Sequence, residues 1–70
     1  NIKVAYWLVN NVDFDQCILE YYSPDDGQAG WIHVSYNEKG ENRKQILTFD
    51  GKKYTNGFPD MKWQDGKVTE

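Results

Sequence analysis

The residues equipped for chemistry fall in two short strings. QCILEYY, residues 16–22, carries Glu20, and WIHVSY, residues 31–36, carries His33 and Ser35. A carboxylate beside an imidazole can move a proton or help hold a metal ion. Both strings are rich in β-formers and bounded by turn residues, so each reads as a strand. An antiparallel hairpin around the 23–30 loop, with Tyr22 facing Trp31, sets Glu20 directly opposite His33. Cross-strand partners have Cβ atoms about 4.5–5.5 Å apart, close enough to share one site. Side-chain alternation then sorts the hairpin into two faces. Cys17, Leu19, Tyr21, Ile32, Val34 and Tyr36 form an apolar face. Gln16, Ile18, Glu20, Tyr22, Trp31, His33 and Ser35 form the other.

This set does not make a catalytic site by itself. A catalytic zinc takes three protein ligands and an open position, and His33 is the only histidine. Asp13 and Asp15 have ligand chemistry, but their place around Phe14 reads as closing a helix and opening a strand. Ser35 lies two residues from His33 on one strand, with no acid to orient the imidazole, so a serine triad is not specified. The bland alternative is a solvated sheet face with an incidental Glu–His pair. Asn42-Arg43-Lys44 reads either as a solvated loop or as a place where Arg43 grips a substrate carboxylate. Cys17, alone in an apolar run, reads as a small buried hydrophobe.

The elements that must position these residues follow from periodicity. Ile2, Ala5, Leu8, Val9 and Val12 keep the spacing of one helical face, ended by Asn10 and Asn11. Ile2, Val4, Tyr6 and Leu8 also alternate as a strand would, and the helix is preferred. Ser23-Pro24-Asp25-Asp26-Gly27 is a turn, and 37–44 is a polar loop. Gln45 to Phe49 is a third strand, and Asp50-Gly51 leads by a tight turn into 52–55. Asn56-Gly57 and Pro59-Asp60 break the chain, Met61–Trp63 adds a short edge strand, and 64–70 reads as a frayed tail. The expected fold is α+β, with an N-terminal helix packed on a small antiparallel sheet of three to five strands.

Composition narrows the function classes. Seventy residues make one small domain, and a core this size is marginal without help. A single cysteine offers no internal disulfide. The net charge of −3, with no basic stripe, argues against a nucleic-acid partner. No apolar run approaches a membrane span and no signal-peptide pattern is present. Three Trp, five Tyr and three Phe suit a β-rich core. The start at Asn1, directly on apolar sequence, reads as that of a fragment or processed product.

From Ile2 to Thr48, several motifs stand in an order met elsewhere: a helix, DFDQ with Ile18 and Glu20 after it, a Pro/Asp-rich loop, GWIHVS, and NRKQIL. This arrangement resembles the C-terminal part of phage and prophage peptidoglycan peptidases of the D-Ala-D-Ala-carboxypeptidase-like zinc metallopeptidase family. The resemblance implies that His33 is the last of three zinc ligands, and the predicted place of Glu20 beside it makes Glu20 the candidate catalytic carboxylate. It makes Trp31 and Arg43 candidate substrate-binding residues. It further implies a peptidoglycan stem peptide as substrate, synthesis in a bacterial cytoplasm from a phage gene, and action at the cell wall or from the virion. The family's first two ligands, a His and an Asp in an H-x6-D motif, are missing here, as is the arginine usually placed before them. The isolated chain is therefore expected to be inactive and to bind zinc weakly. Its partner is then the missing N-terminal half, or another chain that supplies those ligands. The alternative is a non-catalytic phage binding or structural module built on the same fold.

Overall fold

In a computed structural model, residues 2–22 and 30–69 are described. They comprise one helix, α1 (Ile2–Asn11), and six strands: β1 (Gln16–Glu20), β2 (Trp31–Ser35), β3 (Gln45–Phe49), β4 (Tyr54–Asn56), β5 (Lys62–Gln64) and β6 (Lys67–Thr69). The turn expected at 23–27 lies outside the described residues. The helix forms where the 3.6-residue spacing of apolar positions outcompetes the alternating one. Ile2, Ala5 and Tyr6 are buried and Val9 packs behind them, whereas Val4 is 53% exposed. At its end, the Asn11 side-chain amide donates to the Trp7 carbonyl at 2.8 Å, satisfying one of the orphan helix carbonyls.

The α+β expectation holds, with one correction to the sheet. Four strands form a sheet in the order β2-β1-β3-β4, and β5 and β6 form a separate hairpin. β1 pairs antiparallel with β2 but parallel with β3, so the sheet is mixed and not wholly antiparallel. The cause is topological. β2 runs back along one edge of β1, and residues 36–44 then cross at the Gln16 end to start β3 on the other edge. A strand entered from that end must run alongside β1 in the same direction.

The core lies between α1 and one sheet face. Cys17 and Leu19 of β1 and Ile46 of β3 project into it, with Phe14 just before β1. The C-terminal segment, expected to fray, instead closes this core. Asp65 and Gly66 both take positive φ, 52° and 79°, as a two-residue hairpin loop requires. That turn brings Val68 back under the helix, where it is 3% exposed. Asn10 completes the closure. Its side-chain amide donates to the Val68 carbonyl and its side-chain oxygen accepts from the Val68 N–H, both at 2.8 Å. The Asp-Gly pair inside the segment was the missed signal.

Cys17 is fully buried, and burial pushes its thiol up to about 11. Thiolate is the reactive species, so a thiol reagent at pH 8 is expected to leave Cys17 unmodified in the native chain and to label it on denaturation. Rapid labelling of the folded chain, followed by intact mass, would show that the core around Cys17 opens.

Candidate functional site

The face of the sheet away from α1 carries the chemistry in three cross-strand rows. The first joins Ser35, Gln16 and Gln45; the second His33, Ile18, Leu47 and Asn56; the third Trp31, Glu20, Phe49 and Tyr54. Ile18 and Leu47 stand at the centre, 9% and 8% exposed, walled in by their neighbours and separate from the core under the helix. In the first row Gln16 donates through its side-chain amide to the Gln45 amide oxygen at 2.8 Å, and its backbone N–H donates to Ser35 Oγ at 3.2 Å. Ser35 is thus engaged in holding the strand edge.

Glu20 and His33 meet, though not in the expected register. The pairing is Glu20 with Trp31 and Ile18 with His33, two residues from the pairing that puts Glu20 opposite His33. A shift of two keeps every β1–β2 side chain on its face, where a shift of one would have exchanged the faces. Glu20 and His33 become diagonal neighbours, a separation that long side chains bridge. Glu20 Oε1 lies 3.9 Å from His33 Nδ1, an ion-pair distance longer than a hydrogen bond. The imidazole side chain is 63% exposed and the carboxylate 29%. Both are reachable from solvent.

The register shift has a local cause at the end of β1. Tyr21 adopts φ 58°, which stops the strand at Glu20 and breaks the alternation. Tyr22 therefore packs against the core, and Tyr21 turns to the open face, the reverse of the expected assignment. Gly30 holds the same corner from the other side. With φ 94°, it sits where any added Cβ would lie 2.5 Å from the Glu20 carbonyl oxygen. Val34 and Tyr36, also expected in the core, are 46% and 61% exposed. β2 is an edge strand, and α1 packs over β1 and β6.

Arg43 belongs to a different constellation, at the opposite end of β1 from Glu20. Its Nε donates to Asp15 Oδ1 and its Nη2 to Asp15 Oδ2, both at 2.9 Å, and its backbone N–H donates to Oδ1 at 3.0 Å. The backbone around Asp15 joins in: Asp15 N–H donates to the Ser35 carbonyl, and Gln45 N–H to the Asp15 carbonyl. Asp15 thereby latches the 36–44 crossover to the start of β1, where β3 begins. The guanidinium fork is occupied by this internal carboxylate, and Trp31 alone of the two substrate-binding candidates stands beside Glu20 and His33.

The Arg43 hydrogen bonds hold the Asp15 carboxyl well below its ordinary 3.8, at about 2. A depressed folded-state value means that the unfolded chain takes up the proton first. The latch contribution is then complete above about pH 4 and is lost as the pH falls towards 2. Asp50, held low by the Lys53 and Lys52 backbone N–H groups, acts with the same sign. Asp15→Asn is expected to flatten the pH 4-to-2 decline in urea midpoint. An unchanged decline would assign the acid sensitivity to other carboxylates.

Among the described residues no group of three or more His, Cys, Asp or Glu side chains comes together to hold a metal ion. His33 and Glu20 supply one imidazole and one carboxylate, which does not satisfy a catalytic zinc. No family model, curated protein or solved structure matches the chain.

Proposed function

We propose that this chain is the C-terminal part of a zinc-dependent, D-Ala-D-Ala-carboxypeptidase-like peptidase acting on peptidoglycan stem peptides. The observation that carries the reading is the pair Glu20–His33, 3.9 Å apart and solvent-accessible on the open sheet face. The two strings bearing them are the ones that resemble such peptidases. Further support comes from Asp15 and Arg43. The DFDQ and NRKQIL motifs join through this ion pair and so form one structural unit, which holds the strand that carries Glu20.

In this reading the site is composite. His33 would contribute one ligand, and a polypeptide segment bearing a His and an Asp would contribute the others. Zinc, when held by all three, would supply Lewis-acid chemistry. The role of this chain is to present the imidazole, to place the Glu20 carboxylate as acid–base group beside it, and to offer Trp31 as an apolar wall for substrate.

The test has two arms. Zinc titrated into the isolated chain is expected to bind weakly and without a stoichiometric endpoint by calorimetry. Fused behind the N-terminal half of such a peptidase, which carries the H-x6-D pair, the chain is expected to gain stoichiometric zinc. The fusion should also release stem peptides from purified cell walls. Tight zinc in the isolated chain, or a folded fusion that neither binds zinc nor cuts, would overturn the composite site.

A further inference from the structure

The third row of the open face is an aromatic band that the peptidase reading uses only at Trp31. Tyr21, turned out of the core by its positive φ, meets Trp31 edge-on with centroids 5.3 Å apart. On its other side it meets Phe49 edge-on at 5.7 Å, and Phe49 stacks on Tyr54 at 4.6 Å. Four rings thus touch in sequence, from β2 through the residue that follows β1 to β3 and β4. Trp31, Tyr21 and Tyr54 are 66%, 50% and 60% exposed. A contiguous exposed apolar strip of this kind marks a binding surface more often than a row of scattered rings does.

We propose that this band binds a saccharide chain by stacking pyranose rings on Trp31 and Tyr54, with Tyr21 standing edge-on to Trp31 and Phe49 between them. Three interstrand steps of about 4.8 Å give the band a length of roughly 14 Å, enough for two to three pyranose rings in line. The axial C–H groups of a pyranose face carry slight positive charge and suit the negative face of an aromatic ring. Glu20, set in the same row, is an acceptor for sugar hydroxyls.

The same observations disfavour the other polymers that stack on aromatics. The band holds a carboxylate, and Lys52 and Lys53 in the adjoining turn are accompanied by Asp50, in a chain of net charge −3. A nucleic-acid strand needs a positive track for its phosphates. Proline-rich peptides dock in aromatic-lined grooves, whereas among the described residues the band is an open strip with no pocket. A neutral polymer that lies flat is the partner that fits. Saccharide binding shares Trp31 and Glu20 with the proposed peptidase site but needs no zinc, so binding measured without metal separates the two.

The test is a heteronuclear NMR titration of the chain with a β-1,4-linked N-acetylglucosamine hexasaccharide and with cellohexaose, backed by tryptophan fluorescence. A polythymidine ten-mer and a proline-rich peptide serve as competitors. At least one saccharide should shift the Trp31 indole resonance with saturable, sub-millimolar affinity, and the competitors should not. Trp31→Ala and Tyr54→Ala should each weaken binding about tenfold or more, the usual effect of removing a stacking ring. Trp63→Ala, an exposed ring on the separate hairpin, should leave it unchanged. All these side chains are exposed, and circular dichroism checks that each variant is folded. Absence of saturable saccharide binding, loss of binding equally in Trp63→Ala, or stronger binding of either competitor would overturn the proposal.

Discussion

In the fusion proposed above, His33→Ala is expected to abolish zinc binding and wall cleavage together, whereas Glu20→Gln keeps the metal and loses about 10²–10⁴-fold in rate. The difference follows from what each side chain presents. His33 offers an imidazole nitrogen, the only one in the chain, and the described residues hold no group of three or more ligating side chains to take its place. Glu20 differs in kind. Its carboxylate lies beyond hydrogen-bond distance from the imidazole, so the amide variant removes a proton acceptor without dislodging His33. Zinc content by mass spectrometry, read beside cleavage of wall fragments, separates the two outcomes. Arg43→Ala is informative by contrast. Because Arg43 pairs with Asp15, its loss should appear as lowered stability more than as raised KM. Normal cleavage by a His33→Ala fusion would remove the metallopeptidase reading and favour a non-catalytic binding module.

The second large effect falls on folding. Phe14→Ala is expected to leave the chain largely unfolded at room temperature. Phe14 is 1% exposed and lies in the core with Ala5, Cys17 and Leu19, between the helix and β1. Truncating a buried Phe costs about 3–5 kcal/mol. A core of this size rarely supplies more than about 3–5 kcal/mol in total. The two magnitudes are equal, so the variant has no reserve. A collapsed amide dispersion in its NMR spectrum would register the loss, while Phe14→Leu, which keeps most of the volume, should remain folded. A cooperative urea transition near the parent midpoint in Phe14→Ala would show that stability resides elsewhere.

What the sequence determined by itself was the local grammar and the face of each β1–β2 side chain. The i, i+3, i+4 spacing marked the helix, and strand alternation put Glu20, His33 and Trp31 together on one face and Cys17 and Leu19 on the other. A period of two survives a two-residue slip, so the face assignment was insensitive to the register error. Three features were decided only in the tertiary structure. The register depends on where β1 stops, and that depends on Tyr21 entering the left-handed region against Gly30, a choice that no residue type at position 21 announces. The crossover that feeds β3 alongside β1 is held by a non-local latch. Asp15 and Arg43 stand 28 residues apart, and each alone reads as an ordinary surface charge. Burial of the C-terminal hairpin depends on Asn10 bonding the Val68 backbone across 58 residues. Local propensity is written in neighbours along the chain. Register, strand direction and closure are set by contacts between distant residues, which the chain acquires only on folding.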